Sequence, residues 1–553
     1  MKIKPSNEHW SSKVGVVLAV AGSAVGLGNF LRFPGQVVNY GGGAFMIPYI
    51  ISMLIVAIPI SMSEWSLGRY GGRHGFHSPL GMYYVASGRK RRWGIVGGLS
   101  LSIPFIIDMY YIFVEAWCLY YAIKYLGGAL EPLGLGFSID GSAPGMKLGN
   151  GEAYKQFFEN AVGASEHGAL FSFSGLPLLA ITFFCVFLNF WLVYRGISKG
   201  IEKFSKRVAP LILVCALLIV VRVVTLGNPT GQPGQSFLDG LGFMWNPTRN
   251  ILDENGVIIG QTSIWQSLSN PETWLAATSQ IFYSVSVCIC AVCTYASYVR
   301  AKDDIALSSI SATATNEFCE VVFGGLMSIP PAIMFLGAQT YEGFSSSFQL
   351  GFVVLPNVFE LMPLGQICGF IFFTLIFFAS VTSSMSLVLP VTAFFREALQ
   401  WSRGASILLS AGIHLMGAFI VIWFTKGLTA LDTFDFWFAN FMIFMVAILQ
   451  TWLAAYVWGT SAMREEIARG AAIKPPTFLA NVVKYVSFPY LLAIAVFWIV
   501  RNLRDRILQT MDDPVVQLSI CFFVALFAFL LILSAITISR WRKVGEPGAV
   551  DEK

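Results

Sequence analysis

Gly22-Ser-Ala-Val-Gly-Leu-Gly-Asn-Phe-Leu-Arg-Phe-Pro34 is the stretch whose reading decides the fold. It interrupts an apolar run, from Val14 toward Val37 and Val38, that is long enough to cross a bilayer. Gly22, Gly26 and Gly28 weaken a helix there, because glycine loses the most backbone entropy on ordering. Asn29 and Arg32 put a polar and a charged side chain at or near membrane depth, where neither is cheap. A helix that only anchored the chain would avoid all five. Carbonyls freed by a helix break survive in a membrane only where they line a cavity or are buried in protein. The stretch therefore reads as a broken helix that holds a cation and a small ligand. Close helix packing through small residues is the alternative, and Asn29 and Arg32 argue against it.

The rest of the chain supports a membrane setting. Of its 553 residues 56% are hydrophobic and 12% charged, with a mean hydropathy of +0.67; soluble domains carry about 25% charged residues. The net charge of +5 says little about nucleic acid, since the basic residues sit in short loops between apolar runs. No cleavable signal peptide is expected, because the polar Met1–Lys13 runs straight into a full-length span. About twelve spans are expected, at 14–36, 43–67, 94–124, 170–192, 205–225, 274–299, 305–337, 365–395, 405–425, 431–459, 481–500 and 515–538. Lys and Arg crowd alternate loops: Arg89 to Arg92 after the second span, Lys199 to Arg207 after the fourth, Arg464 to Lys474 after the tenth. By the positive-inside rule both termini are cytoplasmic, in an inner (plasma) membrane crossed many times. Two long external loops, roughly 125–169 and 226–273, are too small for a separate catalytic domain.

All nine cysteines fall in apolar segments, so no disulfide framework is indicated. Cys288, Cys290 and Cys293 match no zinc spacing and read as packing. No Asn-x-Ser/Thr sequon occurs; with the short tails this favours a bacterial membrane. The five histidines are scattered, and no nucleophile–base–orienter set appears, so an enzyme is not expected.

Span 6 echoes span 1: Gln280-Ile-Phe-Tyr-Ser-Val-Ser puts Ser284 and Ser286 mid-membrane. Spans 1–5 (14–225) and 6–10 (274–459) then read as inverted halves, each opening on a broken helix, followed by spans 11 and 12 (460–538) and a tail (539–553). The fold class is an all-α polytopic membrane protein. Span 8 carries Thr382, Ser383 and Ser384, which either back-bond to the helix or serve as hard oxygen ligands. Span 7 carries Asn316, Glu317 and Glu320, and span 3 carries Asp108 and Glu115; carboxylates within spans are functional candidates.

Trp10, Ala24 to Pro34, and Gly41-Gly-Gly-Ala-Phe-Met-Ile-Pro-Tyr49 closely resemble the neurotransmitter:sodium symporter family, most of all its bacterial amino-acid transporters. Glu64-Trp-x-Leu-Gly-Arg-Tyr-Gly71, Tyr295-Ala-Ser-Tyr-Val-Arg300 and Thr382-Ser-Ser384 extend the resemblance nearly along the whole chain. It implies sodium-coupled import of an amino acid by alternating access. A transporter-like membrane sensor, binding an amino acid without moving it, is the second reading.

The resemblance also implies site residues. One sodium would take the Ala24 carbonyl, Asn29, Ser284 and Asn316, its shell completed by the substrate carboxylate. The other would take the carbonyls of Gly22, Val25 and Ala379 and the hydroxyls of Thr382 and Ser383. Substrate would meet Tyr111, Ser284, the amides near Leu27 and Gly28, and the carbonyls of Ala24, Tyr283 and Ser286, with Ile107, Ile289, Ser286 and Leu387 around its side chain. Gly26 stands where relatives that carry amines have an aspartate, which favours a substrate with a free carboxylate. Arg32 with Asp435, and Tyr111 with Tyr283, match an outer gate. Trp10, Ser297, Tyr298 and Glu397 fall at the inner gate. Glu320 stands where chloride-independent relatives carry an acid, so no chloride requirement is expected.

Three departures from the family pattern matter. Asn7 replaces the inner-gate arginine, with Lys4 as a possible substitute. Cys288 and Cys290 replace glycines in the span 6 break. Asp108 stands where a small apolar residue is expected, and is a candidate for direct substrate contact or for coupling to a proton. The sequence does not decide between monomer and dimer.

Overall fold

The computed structural model describes residues 8–127, 151–248, 250–252, 258–261, 263–338, 347–473, 476 and 478–545. Most of the external loop before span 4, the inner-gate candidates Asn7 and Lys4, and the end of the tail lie outside them.

The chain folds as a helical bundle. Its elements are α1 (Lys13–Ala24), α2 (Gly28–Asn39), α3 (Gly42–Arg73), α4 (Pro79–Ala86), α5 (Arg91–Leu126), α6 (Gly151–Val162), α7 (Leu176–Tyr194) and α8 (Ile197–Val224). After α9 (Phe237–Trp245) and α10 (Ile264–Leu268) come α11 (Pro271–Ser284), α12 (Ala291–Ala296), α13 (Ile305–Leu336) and α14 (Leu350–Leu361). The last five are α15 (Gly365–Leu399), α16 (Arg403–Trp423), α17 (Lys426–Ala468), α18 (Phe478–Leu508) and α19 (Pro514–Lys543). Ten of these are long and apolar enough to cross a membrane, and α1 with α2 forms an eleventh, bent by 44°. The sixth expected span is present as α11 and α12, too short singly to cross. A small antiparallel pair, β1 (Asn250–Leu252) with β2 (Ile258–Gln261), is the one sheet among the described residues.

Several boundaries differ from expectation. The fourth span starts at Leu176 rather than 170, because Pro177 sets its first turn and residues 169–171 form a separate short turn. The last helix runs on to Lys543 rather than 538, its basic end (Arg542, Lys543) complementing the helix dipole.

Both breaks are held open by specific partners, as buried backbone polar groups require. In the first, Gly26 N donates to Asn29 Oδ1 (2.9 Å) and Leu27 N to Tyr111 Oη (3.2 Å). Gly28 O accepts from Gln280 Nε2 (3.0 Å) and Gly22 O from Thr382 Oγ1 (2.6 Å). In the second, Cys288 N donates to Glu64 Oε1 (2.7 Å), a buried carboxylate that Gln450 Nε2 also reaches (2.7 Å). Ser286, Cys288 and Cys290 adopt φ of 57°, 62° and 66°. The two cysteines thus sit in the left-handed region that glycine occupies without cost, whereas a side chain there costs about 1–2 kcal/mol.

Elsewhere the bundle is packed by apolar faces, with α5 against α15 the most extensive pair. At one end, buried Arg69 pairs with Glu466 (2.8 Å) and donates to the Asp303 (2.7 Å) and Arg469 (2.9 Å) carbonyls. That ties α3 to α17 and to the turn before α13.

Candidate functional site

The two breaks face each other at mid-bundle, against α5, α13 and α15. At the first, Asn29 Nδ2 donates to Asn316 Oδ1 (2.8 Å) and approaches Glu320 Oε2 (3.4 Å), while Gln280 Nε2 donates to Glu320 Oε1 (2.7 Å). The same Asn316 side-chain atom lies 3.2 Å from Ala24 O and 3.1 Å from Ser284 O. Oxygens this close need a donor or a cation among them. Turning the Asn316 amide supplies a donor; an alkali cation, which takes oxygen ligands, fits the same set.

The second cluster lies at the end of α1. Thr382 Oγ1 donates to Gly22 O and also lies 2.8 Å from Ala379 O; Ser383 Oγ reaches Ser23 O (2.9 Å) and Ala379 O (3.2 Å). The Ser383 hydroxyl thus also contacts the carbonyl of Ser23, which was not among the expected ligands. Ser384, the third hydroxyl of the run, turns away and donates to Glu115 Oε2 (2.9 Å).

Between the clusters lies a cavity of about 20 Å³ lined by Ala24, Gly26, Gly28, Ile107, Tyr111, Tyr283, Ser286, Ile289 and Leu387, with Ser23, Ser383 and Ser386. Every expected substrate neighbour except Leu27, Asp108 and Ser284 is on that lining. Leu27 lines the vestibule above, and Ser284 belongs to the first cluster. Asp108 is the correction. A helix turns 100° per residue, so Ile107 facing the cavity turns Asp108 aside, and its carboxylate meets His414 Nδ1 at 3.1 Å. A Cβ at Gly26 would run into Ser383 Oγ and lie 2.8 Å from Tyr111 Oη, which leaves no room for a side chain.

Above the cavity a vestibule of about 620 Å³ opens to one end of the bundle; Tyr111 and Tyr283 line both spaces. Arg32 stacks its guanidinium 4.6 Å over the Tyr283 ring. Its expected ion pair with Asp435 is not direct. Arg32 Nη2 donates to Asn440 Oδ1 (2.5 Å), and Asn440 Nδ2 reaches Asp435 Oδ2 (3.2 Å). Tyr110 Oη takes the other Asp435 oxygen (2.6 Å).

The opposite end is closed. Trp10 Nε1 donates to Tyr295 O (3.0 Å) and its ring meets Tyr295 edge-on. His77 stacks on Tyr298 (centroids 4.2 Å apart, 6° between planes), and its Nδ1 lies 2.9 Å from Ser297 Oγ. Among the described residues no arginine side chain pairs with the Glu397 carboxylate, which accepts from His77 N (2.5 Å), Ser78 N (2.9 Å) and Ser78 Oγ (2.5 Å). Burial, then the nearby Arg396 and His9, push the His77 imidazole down to about 3. Arg403 pairs with Glu8 beside it.

The model of the sodium:neurotransmitter symporter family matches residues 7–132 and 147–543. The chain belongs to that family. A sodium-dependent transporter of Methanocaldococcus jannaschii, itself uncharacterised, is 29% identical over 89% of this chain and 90% of its own. Another from Haemophilus influenzae is 26% identical over 89% and 97%. Among solved structures, MhsT in complex with L-phenylalanine superposes with a TM-score of 0.71 at 25% identity, covering 88% of this chain and 99% of MhsT. The protein is a sodium-dependent transporter that crosses the membrane many times, built on the MhsT fold.

Sequence reasoning missed several residues of this symporter's site. Gln280 and Gln450 brace the two breaks, but a neutral amide in an apolar run carries little signal. Asn440 and Tyr110 complete the vestibule network, and His77 packs the closed end. For His77 a signal existed: with His74 it was the one close histidine pair in the chain.

Proposed function

We propose that the protein imports an amino acid with a free α-carboxylate, driven by sodium entering with it. The observation that carries this is the pairing of two oxygen clusters with one small cavity, its floor and walls made by the breaks themselves. Ala24, Asn29, Ser284 and Asn316 would hold one sodium; Gly22, Val25, Ala379, Thr382 and Ser383 the other. Tyr111 Oη and the amides around Leu27 and Gly28 would take the carboxylate, and the side-chain-free Gly26 keeps that approach open. Glu320, fixed by Gln280 beside the first cluster, would supply there the negative charge that a chloride ion supplies in other members.

The conformation supports alternating access. One end is open down to Tyr111 and Tyr283 and the other is sealed by Trp10, Tyr298 and His77. A cavity of about 20 Å³ has room for roughly one water, so substrate must widen it. Coupling then requires that sodium and amino acid together bind the closed-over state more tightly than the open one. By the positive-inside rule the open end is extracellular and both termini are cytoplasmic.

The test is equilibrium binding of labelled amino acids to the purified protein, with sodium against choline. Sodium-dependent binding of one amino-acid class that is lost in Asn29→Ala supports the assignment. Binding indifferent to sodium contradicts it.

A further inference from the structure

Asp108 and His414 form a buried pair that the site does not use. Both are about 2% exposed, and Asp108 Oδ1 and His414 Nε2 have no hydrogen-bond partner among the described residues. His414 falls midway along α16, so the pair lies near mid-membrane, where ionisable side chains mark ion pathways and proton relays. Its surroundings are apolar: Phe190 meets the imidazole edge-on at 5.6 Å, and Met109, Phe183, Ala418 and Phe419 line a cavity of about 200 Å³ that His414 also borders.

Few charges act on the pair. On α5 the nearest is Glu115, two turns along, whose oxygens are held by Asn189 (2.9 and 3.1 Å) and Ser384, with the Cys118 and Cys185 thiols beside it. The adjacent helix α7 carries no charged residue. On α16 the one charge is Arg403 at its start, and on α15, α17 and α19 the charges stand toward the helix ends: Arg396 and Glu397; Lys426, Asp432 and Asp435 (the last held by Tyr110) at one end of α17 and Arg464, Glu465 and Glu466 at the other; and Arg540, Arg542 and Lys543.

We propose that the Asp108–His414 pair is a proton-binding site in the scaffold of the transporter, and that its occupancy sets how tightly substrate is held. A neutral imidazole beside a carboxylate leaves one net negative charge in a medium that tolerates none cheaply. One proton, taken on His414 Nε2, makes an imidazolium facing a carboxylate and cancels that charge. Transfer of a proton within the pair to Asp108 gives two neutral groups with the same proton count. Ile107 lies one residue before Asp108 and Tyr111 three after, both on the substrate cavity. A change in the pull between α5 and α16 therefore reaches two walls of that cavity. The proton site stands on the pair alone; its effect on substrate rests on the function proposed above.

The experiment is nitrogen NMR of labelled histidine in the full-length protein in nanodiscs, titrated between about pH 5 and about pH 9, a range that brackets the ordinary histidine value. His414→Gln assigns the resonance. The His414 resonance should change charge state or tautomer within that range, and Asp108→Asn should move the transition by more than a tenfold change in proton concentration or abolish it. Sodium-dependent substrate affinity should show a step of several-fold at the same pH in the wild type and be flat in both variants. A His414 resonance that keeps one charge state and one tautomer throughout overturns the proposal, as does an affinity step that survives in both variants. Should Asp108→Asn fail to fold, the wild-type titration and His414→Gln decide alone. A titrating His414 in a protein that binds no amino acid leaves the proton site standing and defeats the import reading instead.

Discussion

Tyr111 Oη accepts a hydrogen bond from the Leu27 amide at 3.2 Å, across the break in the first membrane span. One hydroxyl thus satisfies a freed amide and faces the central cavity. Tyr111→Phe leaves a buried donor unpaired, a loss of about 1–3 kcal/mol. We expect substrate affinity to fall by about tenfold or more, with the helical content of the protein unchanged. Equilibrium binding with circular dichroism checks both.

Thr382, Ser383 and Ser384 are consecutive hydroxyls with different duties. Thr382 and Ser383 point at the carbonyls of α1 and Ser384 at Glu115. Thr382→Val and Ser383→Ala should raise the half-saturating sodium concentration several-fold, whereas Ser384→Ala should leave it in place. Sodium titrations of substrate binding separate the three.

The Arg32–Asn440–Asp435 relay makes a prediction that a direct ion pair does not. Asn440→Ala removes the bridging amide and should speed substrate release about as much as Asp435→Asn does. Were the arginine and the aspartate in direct contact, Asn440→Ala would be silent. Dissociation of labelled substrate after dilution measures this.

His77 makes the sealed end sensitive to acid. In the closed packing its imidazole is pushed down to about 3, and opening to water returns it toward the ordinary value of about 6.5. The closed form therefore keeps its full stability above about 6.5 and loses it as pH falls from there toward 3. Hydrogen exchange at residues 8–12 and 295–298, corrected for the intrinsic rate, should rise on acidification. His77→Phe should flatten that dependence.

Cys290 holds φ at 66°, so Cys290→Gly should relieve strain of about 1–2 kcal/mol, offset in part by the entropy of a freer unfolded chain. Cys290→Ala keeps the strain. The glycine variant should melt at the same or a higher temperature than the alanine variant.

The breaks were legible because their chemistry is local. Gly22, Gly26, Gly28 and Asn29 lie within eight residues, and glycine beside asparagine in an apolar run has few structural uses. What failed depended on rotation and on partners far along the chain. Asp108 is adjacent to a cavity residue, but 100° of helix turn points it at His414. Arg32 finds Asn440 rather than Asp435 because an amide from 408 positions away intervenes, and no local pattern announces that. The positive φ at Cys288 and Cys290 was foreshadowed by their standing in place of glycines, though only the backbone shows that the glycine conformation is kept.

The most direct test of import is uptake of a labelled amino-acid panel into proteoliposomes, with an inward sodium gradient or with none. The account predicts that at least one amino acid accumulates above its external concentration only when the gradient is present, and that Asn29→Ala abolishes the accumulation. Sodium-dependent binding without accumulation of any amino acid would contradict it.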